Sequence, residues 1–178
     1  MSDRIATGEA AAADGDGEPP SPGGILLLDR RRPGSAAAGI EVDLEGMARL
    51  SSHLEQAVRR PLEVTVALLD DAGMDALHRT HSGVAGTTDV LSFPDEDAGC
   101  GATVAGDLAI GVEVAAREAK SRGRTLEAEL MLYLVHGLLH LLGERDDEDA
   151  ARIRMVAAQD RLLEALGLPG TDDGEPAA

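Results

Sequence analysis

The longest apolar run of the chain, Leu130 to Leu142, is shorter than the roughly 20 residues a membrane-spanning helix needs, and it carries two histidines. An apolar helix that does not span a membrane is the expectation. Thr125 is placed to cap it, Glu127 and Glu129 stand in the first turn where the helix dipole favours acids, and Gly143 is positioned as its C′ residue. In such a helix His136 and His140, four residues apart, share one face one turn apart, as two ligands of one metal require.

The chain has one tyrosine, one phenylalanine and no tryptophan, so the core must be built from Leu, Val, Ile, Ala and Met. The same scarcity removes most of the stacking platforms on which single-stranded nucleic acids are commonly held. Residues 25–29 (ILLLD), 62–70 (LEVTVALLD), 89–93 (DVLSF) and 106–111 (GDLAIG) read as strands. Helices are expected over 43–58, with Asp43 as N-cap and Leu44, Met47, Leu50, Leu54 and Val58 at helical steps, and over 73–81, 112–122, 125–142 and 149–166. The last carries Ile153, Val156, Leu162, Leu163 and Leu166 on its expected apolar face. Without strict alternation of strand and helix, the fold class is α+β: a small mixed sheet of about four strands covered by about five helices. Residues 25–168 then form a single domain between a disordered acidic leader, 1–24, and a disordered tail, 169–178, both poor in large apolar side chains.

A formal net charge of −17 argues against a large basic surface neutralising many phosphates, so any RNA contact should be local. The densest positive run, Arg117, Lys120, Arg122 and Arg124, is either a guide for an RNA backbone or the solvated face of a helix. The single cysteine, Cys100, has no disulfide partner within the chain. No secretory leader opens the sequence, and a cytoplasmic location without membrane attachment is expected.

After Gly143 the chain can turn back, and Asp146 then completes the spacing His-x3-His-x5-Asp. Two histidines and a carboxylate hold zinc with a fourth position open, the arrangement of a catalytic site. The alternative is that the histidines decorate a core helix and Asp146 is one acid of a solvated turn. Residue 137 is glycine, not the glutamate that serves as base in His-Glu-x-x-His metalloproteases, which disfavours peptide hydrolysis and leaves a phosphodiester as one candidate substrate.

The string HGLLHLLGERD at 136–146 resembles the signature His-Gly-x-Leu-His-Leu-x-Gly-Tyr-Asp-His of the YbeY family. TTDVLSFP at 87–94 is similar to that family's Pro-Thr-Asp-Val-Leu-Ser-Phe-Pro, and GDLAI at 106–110 follows in matching order. The resemblance spans roughly 25–168 and implies an α+β fold with a zincin-like metal helix. It implies a single-strand-specific, metal-dependent endoribonuclease acting in 16S rRNA 3′-end maturation and ribosome quality control. One zinc ion per chain, or another divalent transition metal, is the implied cofactor, and ribosomal RNA and the small ribosomal subunit are the implied partners. A non-catalytic ribosome-assembly factor with a drifted site, or a zinc peptidase, are the rival readings.

Carried over by position, His136 and His140 are the first two metal ligands and Gly143 is the turn glycine. The family's third histidine is Asp146 here, and its Arg-Gly ahead of the glycine-rich loop is Ser82-Gly83. Arg79 is a candidate to replace the missing arginine, or else a solvated helix residue. Thr88 and Asp89 are implied to lie beside the metal cleft, with Asp89 a candidate catalytic residue, unless they merely cap a strand. Asp107 is a candidate partner of a ligating imidazole or of a turn. His78 and His81 read as surface histidines.

Overall fold

Four strands, Gly24–Asp29 (β1), Leu62–Leu69 (β2), Val90–Pro94 (β3) and Val104–Gly111 (β4), lie in the order β1-β2-β4-β3 in a computed structural model that describes residues 24–95 and 103–171. β1, β2 and β4 run parallel, and β3 closes one edge antiparallel to β4, so the sheet is mixed as expected. Pleating sends alternate residues to opposite faces. Val64, Val66 and Leu68 of β2 and Leu108 and Ile110 of β4 are buried in the main core.

The helices are Leu44–Ser51 (α1), Leu54–Val58 (α2), Asp71–Ser82 (α3), Val112–Arg122 (α4), Leu126–Leu141 (α5) and Asp149–Ala165 (α6). The single helix expected over 43–58 is therefore two. The cause is local competition for one acceptor: the Ser52 hydroxyl donates to the Arg49 carbonyl at 2.6 Å and the His53 ring lies 2.9 Å from it. The His53 amide turns to Leu50 instead, and the α-helical ladder breaks. Asp43 does cap α1, accepting from the Gly46 amide at 2.8 Å.

α5 is the spine of the molecule. Leu130, Met131, Leu134 and Leu138 are fully buried, and the helix packs on β3, β4, α4 and α6. A Leu or Met side chain buried to this extent contributes about 1.5–3 kcal/mol relative to exposure, so the histidines are mounted on the least yielding element available. No described helix is long and apolar enough to cross a membrane.

Residues 1–23 and 172–178, which take in nearly all of the expected leader and tail, lie outside the described residues, as does Cys100. Gly24 already belongs to β1. At the other end the amide and hydroxyl of Thr171 both donate to Asp160 Oδ1 at 2.7 Å, and the Gly170 carbonyl accepts from Arg124. These contacts tie Gly170 and Thr171 to Arg124 and to α6.

Asp70 ties the β1 end of the sheet to α3. It is buried and accepts from the Gly73 amide at 2.8 Å, the Arg32 amide at 3.0 Å and Arg32 Nε at 2.9 Å. Burial alone would raise its pKa, but the Arg32 guanidinium and the two amides outweigh it and hold the carboxyl at about 2. A depressed pKa means that the stabilisation is complete above the ordinary carboxylate value and is lost as pH falls through about 2. Asp70→Ala should cost about 1–2 kcal/mol near neutral pH through the lost cap and pair. Urea unfolding of parent and variant should show this gap narrowing as the solution is acidified below about pH 4.

Candidate metal centre

His136 and His140 meet on one face of α5 with their Nε2 atoms 3.2 Å apart and their rings at 89° to each other. Each ring is held at its far nitrogen. His136 Nδ1 lies 3.0 Å from Gln159 Oε1, and His140 Nδ1 lies 3.1 Å from the Glu144 carbonyl. A carbonyl oxygen can only accept, so each Nδ1 is the donor, and in the neutral imidazole that leaves Nε2 with its lone pair. Two lone pairs facing each other at this distance repel unless a cation lies between them.

The route of the chain after α5 supplies the third donor. Gly143, at φ 91°, turns the backbone so that the Glu144 amide bonds back to the Leu139 carbonyl at 2.9 Å, closing the helix end and placing the Glu144 carbonyl on His140. Asp146 follows, its Oδ2 at 3.9 Å from both Nε2 atoms. One donor atom from each of the three residues falls within a 4.8 Å span. Donors around a tetrahedral zinc stand about 3.3 Å apart, given bonds of about 2.0–2.1 Å. The imidazole pair already has that spacing, and the exposed carboxylate need only swing inward by about 0.6 Å. The donor set fits a divalent transition metal.

A cavity of about 400 Å³ opens beside His136, walled by Thr88 and Asp89 before β3, Glu118 and Arg122 of α4, and Tyr133 and Gln159. Asp89 Oδ1 is fixed by the Thr88 hydroxyl at 3.0 Å and the Val90 amide at 2.8 Å. Burial pushes the Tyr133 phenol above its ordinary pKa, and the carboxylates of Glu129 and Asp89 push it further. It therefore stays protonated at any physiological pH, its hydroxyl hydrogen-bonded to Glu129.

The sequence model described as endoribonuclease YbeY matches residues 40–167. The chain belongs to the YbeY family. The endoribonuclease YbeY of Micrococcus luteus is 38% identical over 141 residues, covering 74% of this chain and 90% of its own length. That of Moorella thermoacetica is 41% identical over 122 residues, covering 64% and 78%. A solution structure from Thermotoga maritima superposes with a TM-score of 0.57 at 24% identity, over 85% of this chain and 99% of its own, and shows the same fold.

Within this YbeY fold, Gly137 has a packing reason. A Cβ there would lie 2.9 Å from Leu108 Cδ2 and 3.0 Å from Val90 Cγ2, because α5 presses on the sheet at that point. Residue 137 faces the core, so a glutamate here could not serve the cleft as it does in metalloproteases. Gly137→Ala should cost about 1–2 kcal/mol, overpacking outweighing the helical preference of alanine. Thermal unfolding should show the loss.

Several candidates lie elsewhere. Val90 and Ser92 of β3 turn toward α5, the Ser92 hydroxyl reaching the Gly137 carbonyl, whereas Phe93 turns the other way and packs against His81 of α3, ring centroids 4.6 Å apart. Asp107 is the register partner of Phe93 and shares that outer face, so it cannot bond either ligating imidazole. Gln159 and the Glu144 carbonyl do so instead. Arg79, on α3, pairs with Asp75 at 2.9 Å, and Asp75 in turn accepts from the Gly86 amide at 2.6 Å. His78 meets the carbonyl of the same glycine at 2.9 Å. Arg79 and His78 thus brace the glycine-rich loop, and neither lines the cavity beside His136. Ser82 ends α3, with Gly83 at φ 68° as its cap.

The basic run of α4 and the turn after it is largely spent on ion pairs. Arg117 pairs with Asp71 at 2.7 Å, Arg122 with Glu118 and with buried Glu129, and Arg124, 6% exposed at its side chain, with Glu129. It offers an RNA backbone far less charge than the sequence counts. Gln159 and Tyr133 escaped the sequence reading. The signal for Gln159 was present: Ala151, Met155, Gln159 and Leu163 recur at four-residue steps as the buried face of α6, and one of the four is a carboxamide.

Proposed function

We propose that this protein is a metal-dependent endoribonuclease that cleaves single-stranded RNA, with 16S rRNA 3′-end maturation as its physiological task. Family membership and the His-His-Asp cluster support RNase function of the YbeY type. The observation that carries the reading is the facing pair of Nε2 atoms with a carboxylate beside them. The residues that would hold the ion are His136, His140 and Asp146. A bound divalent ion supplies Lewis acidity and lowers the pKa of water, the chemistry a phosphodiester needs.

The chain's own groups supply the rest. Tyr133, beside His136, lines the cavity as a neutral phenol whose hydroxyl is tied to Glu129. Asp89, its orientation fixed by Thr88 and Val90, orients the ribose or base of the scissile nucleotide. With net charge −17 and the α4 arginines already paired, few phosphates are contacted away from the site, so the small ribosomal subunit supplies the affinity.

The test is cleavage of a single-stranded RNA oligonucleotide by purified protein, abolished by chelation and restored by zinc, with a duplex of the same sequence resisting. Metal binding without any cleavage would support the assembly-factor reading instead. Hydrolysis of a peptide library with no effect on RNA would support a zinc peptidase.

A further inference from the structure

Gln159 stands where α6 turns its buried face to α5, only 5% exposed, between Met155 and Leu163. Neighbouring core positions on that face are apolar, and a carboxamide buried among them is unfavourable unless its polar atoms are bonded. Its Oε1 accepts from His136 Nδ1 at 3.0 Å. The two histidines are thus restrained by different means: His140 by a main-chain carbonyl that every side chain at 144 supplies, His136 by one side chain on another helix.

We propose that Gln159 is the positioning residue of the metal centre, fixing His136 as its Nδ1–H tautomer and aiming Nε2 at the site shared with His140 and Asp146. Without the acceptor, the ring is free to carry its proton on Nε2, which takes away the lone pair the ion needs, and free to rotate out of line. Partners of this kind on ligating imidazoles change metal affinity by about 10–100-fold. The inference rests on the reading of the cluster as a metal site, but its effect on the tautomer exists without the ion.

Two variants of the full chain separate positioning from packing. Gln159→Met keeps the volume and removes the acceptor; Gln159→Glu keeps an acceptor at the same place. Long-range proton–nitrogen correlation spectra of the metal-free proteins report the tautomer of each histidine, and competition with a chromophoric chelator reports zinc affinity. The expected result is Nδ1–H at His136 in the parent and in Gln159→Glu, a shift toward Nε2–H in Gln159→Met, and no change at His140. Zinc binding should weaken by about 10–100-fold in Gln159→Met and recover in Gln159→Glu. An unchanged His136 tautomer in Gln159→Met, or a loss of affinity in Gln159→Glu equal to that in Gln159→Met, overturns the proposal. A parent protein that binds no zinc would refute the metal reading itself, and the tautomer in the metal-free protein would still decide the role of Gln159.

Discussion

Replacing His136 or His140 by alanine is expected to abolish stoichiometric metal binding and to lower RNA cleavage by about a thousandfold or more, the several kcal/mol that a metal contributes to stabilising transition-state charge. Each histidine supplies one of two Nε2 donors already 3.2 Å apart, and removing either leaves a single imidazole and a carboxylate. Such a pair is too poor a site to compete with water for the ion. The fold should survive, because the two side chains stand 27% and 30% exposed at the edge of the α5 core. Circular dichroism and thermal unfolding therefore serve as the control, and elemental analysis of protein dialysed against metal-free buffer is the measurement. His136→Ala protein that retains as much zinc as the parent would remove the centre of the proposed mechanism.

What the sequence could tell depended on how local the deciding interaction was. The caps of α1 and α5 were legible because Asp43 and Thr125 act on amides three residues ahead, at 2.8 and 3.2 Å. The histidine pair was legible for the same reason, helical spacing alone bringing the rings together. The break at Ser52 and His53 was not, since helical periodicity runs unbroken across it and only the contest for the Arg49 carbonyl interrupts the ladder. Ile153, expected on the apolar face of α6, is 71% exposed, because that helix is oriented by packing on α5 and α2. Asp107 was open to better reading. It directly precedes Leu108, a core residue, and neighbours in a strand face opposite ways. The pairing of Arg117 with Asp71, 46 residues apart in the chain, is decided by tertiary contact alone and had no local signal.

At Asp146, where the chain departs from the family signature, alanine is expected to weaken metal binding by more than the roughly 10–100-fold typical of outer partners, while histidine retains the ion. The turn at Gly143 brings Asp146, rather than its acidic neighbours, to both imidazoles. Glu144 already serves His140 through its main-chain carbonyl, which no side-chain substitution removes. Asp147 is engaged by Arg145 at 2.6 Å, and that hydrogen bond holds its carboxyl below the ordinary range. Glu144→Ala and Asp147→Ala should accordingly bind metal like the parent. Asp146→His exchanges an anionic donor for a neutral one, so the ion keeps more of its positive charge and polarises its ligands more strongly. The measurement is zinc affinity by chelator competition across the four variants, with RNA cleavage followed on the same preparations. Should Asp146→Ala match the parent while Asp147→Ala or Glu144→Ala loses the ion, the turn closes differently around the metal and another carboxylate is the third ligand.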